Sequence, residues 1–335
     1  MAALPHKAPG AEERNENPAE KQVIQSSGLN LIRAGMIGCD TSHCGVYTRM
    51  LNDEQAPEEI SGVRVTAAYP SFSEDMEKSV GRVKDISRQL SENWGVKMTG
   101  SIEEMLEQVH VVLLTSVDGR RHLKELRPVA ASGKPVYIDK PFAASLTDAR
   151  EMVRVIREHD LPCFSCSPLR FDSRFVKFMS EEKARGRICG CDACGPAHRE
   201  STNPGFFWYG IHGVEILYTV MGPGCRSVRC ISTDGSDLAA GTWDDGRIGT
   251  MRGIHSGHGQ AGYGATVLCD KVHARLEAAG DFYRNTATAM VRFFRTRKPP
   301  VPIDETLEIC AFIDAAWQSS KQNGEQIKLN LFNER

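Results

Sequence analysis

The chain has 335 residues, 41% of them hydrophobic, which is enough for a sizeable core and suggests two domains rather than one. Its 41 Lys and Arg residues against 43 Asp and Glu give a formal charge of -2, so the charge gives no reason to expect nucleic acid or an anionic membrane surface as a partner. No apolar run reaches the roughly 18 residues of a membrane span, and the N-terminus lacks the apolar core of a signal peptide. We therefore expect a cytoplasmic protein with a small-molecule ligand and with its 11 cysteines as free thiols.

The chain begins with a predicted disordered tail, residues 1–29, which is rich in Ala, Pro, Glu, Asn and Lys and has no hydrophobic period. From Leu31 onward, short β-branched runs alternate with helical stretches; the runs are LIRAGMI, VRVTAAY, HVVLLTS and KPVYIDKP. This alternation is typical of a parallel sheet with crossover helices. It predicts an α/β fold that starts with a Rossmann-like, doubly wound nucleotide-binding domain over residues 30–160.

Helix boundaries within this region carry their own signals. Ser101 followed by Glu104 forms a capping box, and Ser145 or Thr147 is placed to begin a later helix. Gly133 follows a helical period, as a C-terminal glycine does. These signals support the predicted order of strands and helices.

Residues 161–335 have a different pattern, in which strands follow one another and helical periods are fewer. Asp245 and Gly246 stand between two strand-like runs and predict a hairpin. The segment YGATVLCDKVHARLEA is predicted as one long strand, and two helices close the chain. We expect a C-terminal α+β domain with a largely antiparallel sheet, whose open face would allow a homo-oligomer, a dimer or a tetramer.

The turn after the first strand, in AGMIGCDTSHCGVY, resembles a dinucleotide-binding turn only in part. Gly38 fills the first glycine position, whereas Asp40 and His43 stand where the second and third glycines belong. A carboxylate about 4 Å from a phosphate would repel it by on the order of 4 kcal/mol at an effective dielectric near 20. Either Asp40, Thr41 or Ser42 caps the next helix, or Asp40 turns away while Thr41, Ser42 and backbone amides contact phosphates.

Further motifs resemble a known family: HVVLLTSVDGRRHL, ASGKPVYIDKPFAASLTDA, WYGIHGVEILYTVMG and KPPVPIDETLEICAFIDAAWQSSKQNGE. Together with the turn, they are similar to the Gfo/Idh/MocA family of NAD(P)-dependent oxidoreductases from Leu31 to the C-terminus. The IDKP strand end matches the family's Glu-Lys-Pro motif, with Asp139 in place of Glu. The resemblance implies hydride transfer between nicotinamide and a hydroxyl-bearing carbon of a sugar, cyclic polyol or derivative. It also implies that Lys140 and His212 handle the hydroxyl proton.

The resemblance implies a set of binding residues as well. Those expected at the cofactor are Gly35, Gly38, Asp40, Thr41, Ser42, His43, Thr115, Ser116, Asp139, Lys140 and Pro141. Those expected at the substrate are Arg170, Trp208, Tyr209 and His212. The choice between NAD and NADP stays open, because Tyr69 and Ser71 replace the acid that would bind the ribose of NAD and no arginine follows to favour NADP.

One departure from the family pattern keeps other functions open. Trp208 stands four positions before His212, where family members commonly carry an acid, and a histidine without that partner is a weaker base. The alternatives are a cofactor-retaining lyase or glycoside hydrolase, and a non-catalytic protein that binds a nucleotide or another ligand.

We expect no metal site. His255 and His258 lack a nearby third ligand, so they are interpreted as loop or substrate-lining residues. Two Cys-x-x-Cys pairs lie in strand-like runs rather than in knuckle-like turns, which argues against zinc. The cysteines of these two runs are Cys163, Cys166, Cys189, Cys191 and Cys194.

Overall fold

The first half of the chain forms a six-stranded sheet. The computed structural model describes residues 31–259 and 262–331, and the predicted tail at residues 1–29 lies outside them. The strands are β1 (Ile32–Ile37), β2 (Val63–Tyr69), β3 (Lys97–Met98), β4 (Val111–Leu114), β5 (Val136–Ile138) and β6 (Cys163–Ser165). They lie in the order β3-β2-β1-β4-β5-β6, and every neighbouring pair is parallel. The predicted Rossmann-like, doubly wound sheet is confirmed.

Helices connect these strands as crossovers: α1 (Ser42–Asn52), α2 (Glu77–Trp94), α3 (Ile102–Leu106), α4 (Gly119–Ser132) and α5 (Leu146–Glu158). The predicted caps are in place. The Ser101 hydroxyl accepts the Glu104 N–H before α3, and the Ser145 hydroxyl accepts the Asp148 N–H before α5. Gly133 ends α4 with a left-handed φ of 64°.

The first sheet extends beyond the domain boundary that the sequence suggested at residue 160. β6 pairs in parallel with β5, so residues 163–165 belong to the first sheet and not to the second domain. A three-residue apolar strand is too short to show a period, and it resembles the start of the strand-rich region that follows.

The second sheet has seven strands: β7 (Ile188–Pro196), β8 (Cys225–Ser232), β9 (Ser236–Trp243), β10 (Ile248–Ile254), β11 (Gly264–Cys269), β12 (His273–Glu277) and β13 (Ile327–Lys328). Their order is β12-β11-β7-β10-β9-β8-β13. All pairs are antiparallel except β7 with β10. The prediction of a largely antiparallel sheet is confirmed.

Two turn predictions in this sheet have different outcomes. The hairpin at Asp245–Gly246 is confirmed, because β9 and β10 pair across it and Gly246 has a φ of 84°. The single long strand predicted for YGATVLCDKVHARLEA is wrong, because the segment folds into the hairpin β11–β12. The carboxylate of Asp270 holds the turn by accepting the N–H of Arg187 at 2.8 Å, a long-range contact that no local pattern reveals.

The remaining helices are α6 (Ser173–Ser180), α7 (Glu182–Arg185), α8 (Ile211–Met221), α9 (Phe282–Thr296) and α10 (Ile303–Lys321). α9 packs on the first sheet, where Phe293 lies against Phe164 of β6 with ring centroids 4.9 Å apart. The cleft at the carboxyl edge of the first sheet therefore has walls from both halves of the chain. No helix of the described residues is both long and apolar enough to cross a membrane.

Gly38 allows a close backbone approach that can be tested. Its φ is 87°, and an added Cβ would lie 2.3 Å from the backbone nitrogen of Ser116. Gly133 has a similar φ of 64° but no neighbour within 4 Å of such a Cβ. We expect Gly133→Ala to lower the free energy of unfolding by about 1–2 kcal/mol, the cost of the left-handed backbone alone. Gly38→Ala should lower it by clearly more, because backbone must shift as well.

Urea denaturation of both variants beside the parent protein measures this difference. Equal losses of unfolding free energy in the two variants would show that the turn tolerates a side chain against Ser116, just after β4.

Candidate active site

A partly open cavity of about 180 Å³ lies at the carboxyl edge of the first sheet, between the two halves of the chain. We call it the inner cavity. It lies where a doubly wound sheet binds its ligands. Fifteen of the described residues line it: Thr41, Ser42, His43, Lys78, Arg82, Val117, Lys140, Pro168, Leu169, Trp208, Tyr209, His212, Tyr263, Phe282 and Tyr283.

His43 is held by a buried carboxylate beneath the inner cavity. Its Nδ1 lies 2.5 Å from Oδ2 of Asp139, and the hydroxyl of Tyr283 lies 3.0 Å from its Nε2. Asp139 also accepts hydrogen bonds from the Tyr137 hydroxyl and from the backbone N–H of Lys140. Burial would raise the pKa of Asp139, but His43 and these donors hold it below its ordinary value. Both residues were expected at the cofactor, and the structure gives them a positioning role at the end of β5.

Lys140 is a buried cation, only 8% exposed. Its Nζ lies 5.3 Å from the ring centroid of Tyr209 and 5.7 Å from that of Trp208. No ion pair or hydrogen bond engages this ammonium among the described residues. Burial lowers the pKa of Lys140, and the nearby charges of Arg82 and Lys78 act in the same direction. An amine in this state gives up or shares a proton more readily than an exposed lysine.

His212, at the start of α8, lines the same cavity. Burial, followed by the charge of Lys140, lowers its pKa well below the ordinary value, so the imidazole is neutral near pH 7. Its Nδ1 lies 2.6 Å from the hydroxyl of Ser167, which leaves Nε2 as the ring nitrogen available to a ligand. The backbone N–H of Ser167 donates to the buried carboxylate of Glu215. Ser167 is therefore the hydrogen-bond partner of the His212 ring, a role for which the family pattern would supply an acid at the position of Trp208.

The expected substrate residues divide into two groups. Trp208 and Tyr209 line the inner cavity with His212. Arg170 does not line it; its guanidinium forms ion pairs with Glu215 and Glu305, both at 2.7 Å. The structure thus gives Arg170 a supporting role beneath the Ser167 loop, because its charge is neutralised by two carboxylates.

Asp40 does not cap α1. Its side chain is fully buried, and its Oδ1 accepts the backbone N–H of Val117 at 2.9 Å. Its Oδ2 accepts the hydroxyl of Ser79, on the first turn of α2, at 2.6 Å. Thr41 is the N-cap residue of α1, but its side chain accepts no capping hydrogen bond. The capping prediction is wrong because two long-range donors engage the carboxylate.

The Asp40–Ser79 contact belongs to a larger feature that we call the serine strap, residues 70–79. The strap leaves β2 and passes along the carboxyl edge toward β4. The Ser71 hydroxyl donates to the buried Glu125, and the Ser73 hydroxyl donates to Asp118 at 2.7 Å. With Ser79, three hydroxyl groups of one short segment thus each satisfy a buried carboxylate.

The serine strap separates the inner cavity from a second, more open one. This outer cavity, of about 580 Å³, is lined by residues 69–75, Asp118, Arg120 and Arg121. The two cavities share no lining residue. The strap lies between the two cavities in sequence, with residues 70–75 at the outer one and Lys78 at the inner one. The hydroxyls of Ser73 and Ser79 in this segment donate to Asp118 and Asp40.

The other residues expected at the cofactor lie deeper. Ser42 lines the inner cavity, whereas Thr115 and Ser116 are fully buried. The Thr115 hydroxyl donates to the carbonyls of residues 37 and 38, and that of Ser116 to Glu125. Gly35 leaves room for the side chain of Met105, because a Cβ added at Gly35 would lie 2.8 Å from the Met105 sulfur. Pro141 lies beside Lys140 and is not a lining residue.

His255, interpreted as a loop or substrate-lining residue, has hydrogen-bond partners around β9. His255 contacts the carboxylate of Asp237 at 2.9 Å and the carbonyl of Asp234. No group of three or more His, Cys, Asp or Glu side chains in the described part of the chain is placed to bind a metal ion. The 11 cysteines form no disulfide.

The sequence reasoning missed several residues of the cavity. Lys78 and Arg82 lie on a helix that carries no motif, and Ser167 lies in a loop. In the sequence, the signal for Lys78 and Arg82 is their spacing of four residues directly after a serine-rich segment. Tyr263, Phe282 and Tyr283 are far from the motifs in sequence, and only the packing of α9 brings the last two to the cleft.

The fold and the cleft together define the class of this protein. A parallel sheet of this order with a ligand cavity at its carboxyl edge, joined to an α+β domain, is the architecture of a two-domain Rossmann-type oxidoreductase. Residues 32–166 match the model of the Gfo/Idh/MocA oxidoreductase family, which has an NAD-binding Rossmann fold. This match covers the nucleotide-binding domain, 135 of the 335 residues.

Solved structures share the fold along nearly the whole chain. GenD2 from gentamicin A biosynthesis, in complex with NAD, has a TM-score of 0.72 at 14% identity, covering 92% of this chain and 99% of its own. Myo-inositol 2-dehydrogenase from Lactobacillus plantarum has a TM-score of 0.69 at 16% identity, covering 89% and 99%. The WlbA dehydrogenase from Bordetella pertussis, in complex with NADH and UDP-GlcNAcA, has a TM-score of 0.69 at 18% identity, covering 90% and 98%. No curated protein sequence matches the chain.

Asp40 should give protein stability a characteristic pH dependence. Burial raises its pKa from 3.8 to about 6, against the hydrogen bonds from Ser79 and Val117. Between these two values the folded protein binds a proton that the unfolded chain has lost, so stability falls as the pH rises from about 4 to about 6. The loss is of the order of 3 kcal/mol, and it is constant above that range. Asp40→Asn has no charge to bury and should lack this slope.

Free energies of unfolding for the parent protein and Asp40→Asn at pH 4, 5, 6 and 7 test this expectation. The variant should gain relative stability as the pH rises, and parallel curves would contradict a raised pKa at Asp40.

Proposed function

We propose that this protein is an NAD(P)-dependent dehydrogenase that acts on a hydroxyl group of a sugar, a cyclic polyol or a derivative. The observation that carries the proposal is the placement of Lys140 and His212 in one buried cavity at the carboxyl edge of an NAD-binding family sheet. One residue comes from the end of β5 and the other from α8, so the cavity depends on both halves of the chain. Structures with this fold include an inositol dehydrogenase.

In this proposal the two residues divide the handling of one proton. The nicotinamide supplies the hydride acceptor when it is bound. His212 is neutral near pH 7 because burial lowers its pKa, so Nε2 can accept the proton of a substrate hydroxyl. The ammonium of Lys140 stabilises the alkoxide that develops on the same oxygen. Ser167 fixes the ring of His212 in place of the missing acid.

The cofactor ends would lie in the two cavities. Residues 69–75 and Arg121 would contact the adenosine end, and Ser42 and Lys140 the nicotinamide end. Because Arg120 and Arg121 line the outer cavity, a 2′-phosphate could be bound there, and NAD and NADP both stay candidates. In this proposal the strap lies across the path of the cofactor, and cofactor entry opens the Ser79–Asp40 and Ser73–Asp118 hydrogen bonds.

A second candidate function is supported by this division of the groove. A protein whose serine strap stays closed would keep the inner cavity as a binding site for a small molecule and would carry out no redox chemistry. The two candidates differ in one property, which is saturable binding of a dinucleotide.

We also propose a homo-oligomer in the cytoplasm. Ile231 and Ile248, on strands of the second sheet, are 65% and 58% exposed, as expected for a sheet face that a second copy covers. The free thiols suit a reducing compartment.

Cofactor binding tests the proposal directly. Fluorescence titration with NADH and with NADPH should give a saturable signal for at least one of them. Ser79→Ala removes one contact that closes the groove, so it should bind the cofactor several-fold more tightly. Ser87→Ala is the matched control, because Ser87 lies on the same helix, lines neither cavity, and its hydroxyl donates to the Val83 carbonyl.

Absence of a saturable signal with both cofactors, in the parent protein and in Ser79→Ala, would reject the dehydrogenase and favour the second candidate.

Substitution of the two proposed catalytic residues tests the chemistry. On a substrate found with a panel of polyols and sugars, we expect Lys140→Ala and His212→Ala each to lower kcat by two to four orders of magnitude, roughly the range for a general acid or base. Their combined effect should be less than additive, because both act on one proton. Ser167→Ala should lower kcat less and shift its pH profile, because it only positions His212. Full activity of Lys140→Ala would end its catalytic assignment.

A further inference from the structure

The inner cavity carries more positive charge than the proposed proton transfer needs. Lys78 and Arg82, one turn apart on α2, line it together with Lys140. None of the fifteen lining residues is acidic. The nearest carboxylate in sequence, Asp139, is already engaged by His43 and by the Tyr137 hydroxyl. One buried cation, Lys140, and two solvent-exposed cations, Lys78 and Arg82, thus line a small cavity with no acid among its described lining residues.

Two of these cations lie against one aromatic ring. The Nζ of Lys78 is 5.1 Å from the ring centroid of Trp208, and the Nζ of Lys140 is 5.7 Å from the same ring. Trp208 is four residues before His212 and belongs to the second half of the chain. Lys78 therefore lies at the reacting end of the cavity and not along the outer path.

Trp208 brings two of the cations to one place in the cavity. Its side chain is 2% exposed, so the ring that both ammonium groups face is itself fixed by packing. An anionic oxygen bound between the ammonium groups of Lys78 and Lys140 would offset both charges.

We propose that the ligand of the inner cavity is a sugar or polyol that carries an acidic group, a carboxylate or a phosphate. Lys78 and Arg82 bind the anionic oxygens, while a hydroxyl of the same molecule lies between Lys140 and His212. A cavity of about 180 Å³ fits one small molecule rather than a polymer. The assignment of the hydroxyl rests on the proposed dehydrogenase function, whereas the binding of the acidic group does not.

The diphosphate of the cofactor is the other possible source of anionic oxygens. It would lie over the start of α1, where Thr41 and Ser42 also line the cavity. The approach of Lys78 and Lys140 to the same Trp208 ring favours the substrate, because Lys140 is the residue proposed to act on the reacting hydroxyl. The experiment must therefore measure acidic sugars and the cofactor separately.

Calorimetric titration without cofactor tests the proposal, with glucuronate, glucose 6-phosphate and glucose as probes. We expect at least one acidic probe to bind ten-fold or more tightly than glucose, and the stronger of the two identifies a carboxylate or a phosphate. Lys78→Gln should weaken that binding at least ten-fold and leave the affinity for glucose unchanged. Lys84→Gln makes the same change of charge on the same helix, outside the cavity lining, and should bind like the parent protein.

NADH titration of the same three proteins separates this inference from the proposed function. Selective binding of an acidic probe that depends on Lys78 supports the inference even when NADH does not bind, which would reject only the dehydrogenase. Two results overturn the inference while a dehydrogenase stands. One is that NADH binds while neither acidic probe binds more tightly than glucose. The other is that Lys78→Gln loses affinity for NADH but keeps its affinity for the acidic probes.

Discussion

The buried carboxylate of Asp40 is the group on which the geometry of the cleft depends. A carboxylate with no solvent exposure must be hydrogen-bonded, and the two donors come from different elements. Val117 follows β4, and Ser79 lies on the first turn of α2. Because one side chain joins the turn after β1 to both, these three segments are fixed relative to one another. The start of α2 is thereby held at the cavity, with Lys78 and Arg82 on its inner side.

This arrangement separates charge across the serine strap. On the outer side, the acids Asp75 and Asp118 are paired with Arg120 in a partly exposed network. On the inner side the lining charges are all positive. The strap contributes hydroxyl groups, which satisfy buried carboxylates without adding charge of their own. This charge pattern is the basis for the acidic ligand proposed for the inner cavity, whereas on the outer side the acids and Arg120 offset one another.

The sequence predicts the architecture well because the strands of a doubly wound sheet, apart from the shortest, leave a strong local pattern. It also predicts that Lys140, His212, Trp208 and Tyr209 share a cavity, since the motif residues lie at strand and helix ends. It could not predict the partners of Asp40, because capping is a local interaction and the donors are 39 and 77 positions away. Arg170 illustrates the same limit, since the acids that neutralise it are separated from it by 45 and 135 positions.

The packing of α9 bears on how the chain is divided into folding units. Its apolar face, with Met290, Val291 and Phe293, completes one of the clusters that cover the first sheet. The region that matches the family model ends at residue 166, well before this helix. A fragment cut there would expose Phe164 and the apolar surface around it to water, and such a patch promotes association. The nucleotide-binding half is therefore a unit of sequence relatedness whose apolar surface is fully covered only after α9 has been synthesised.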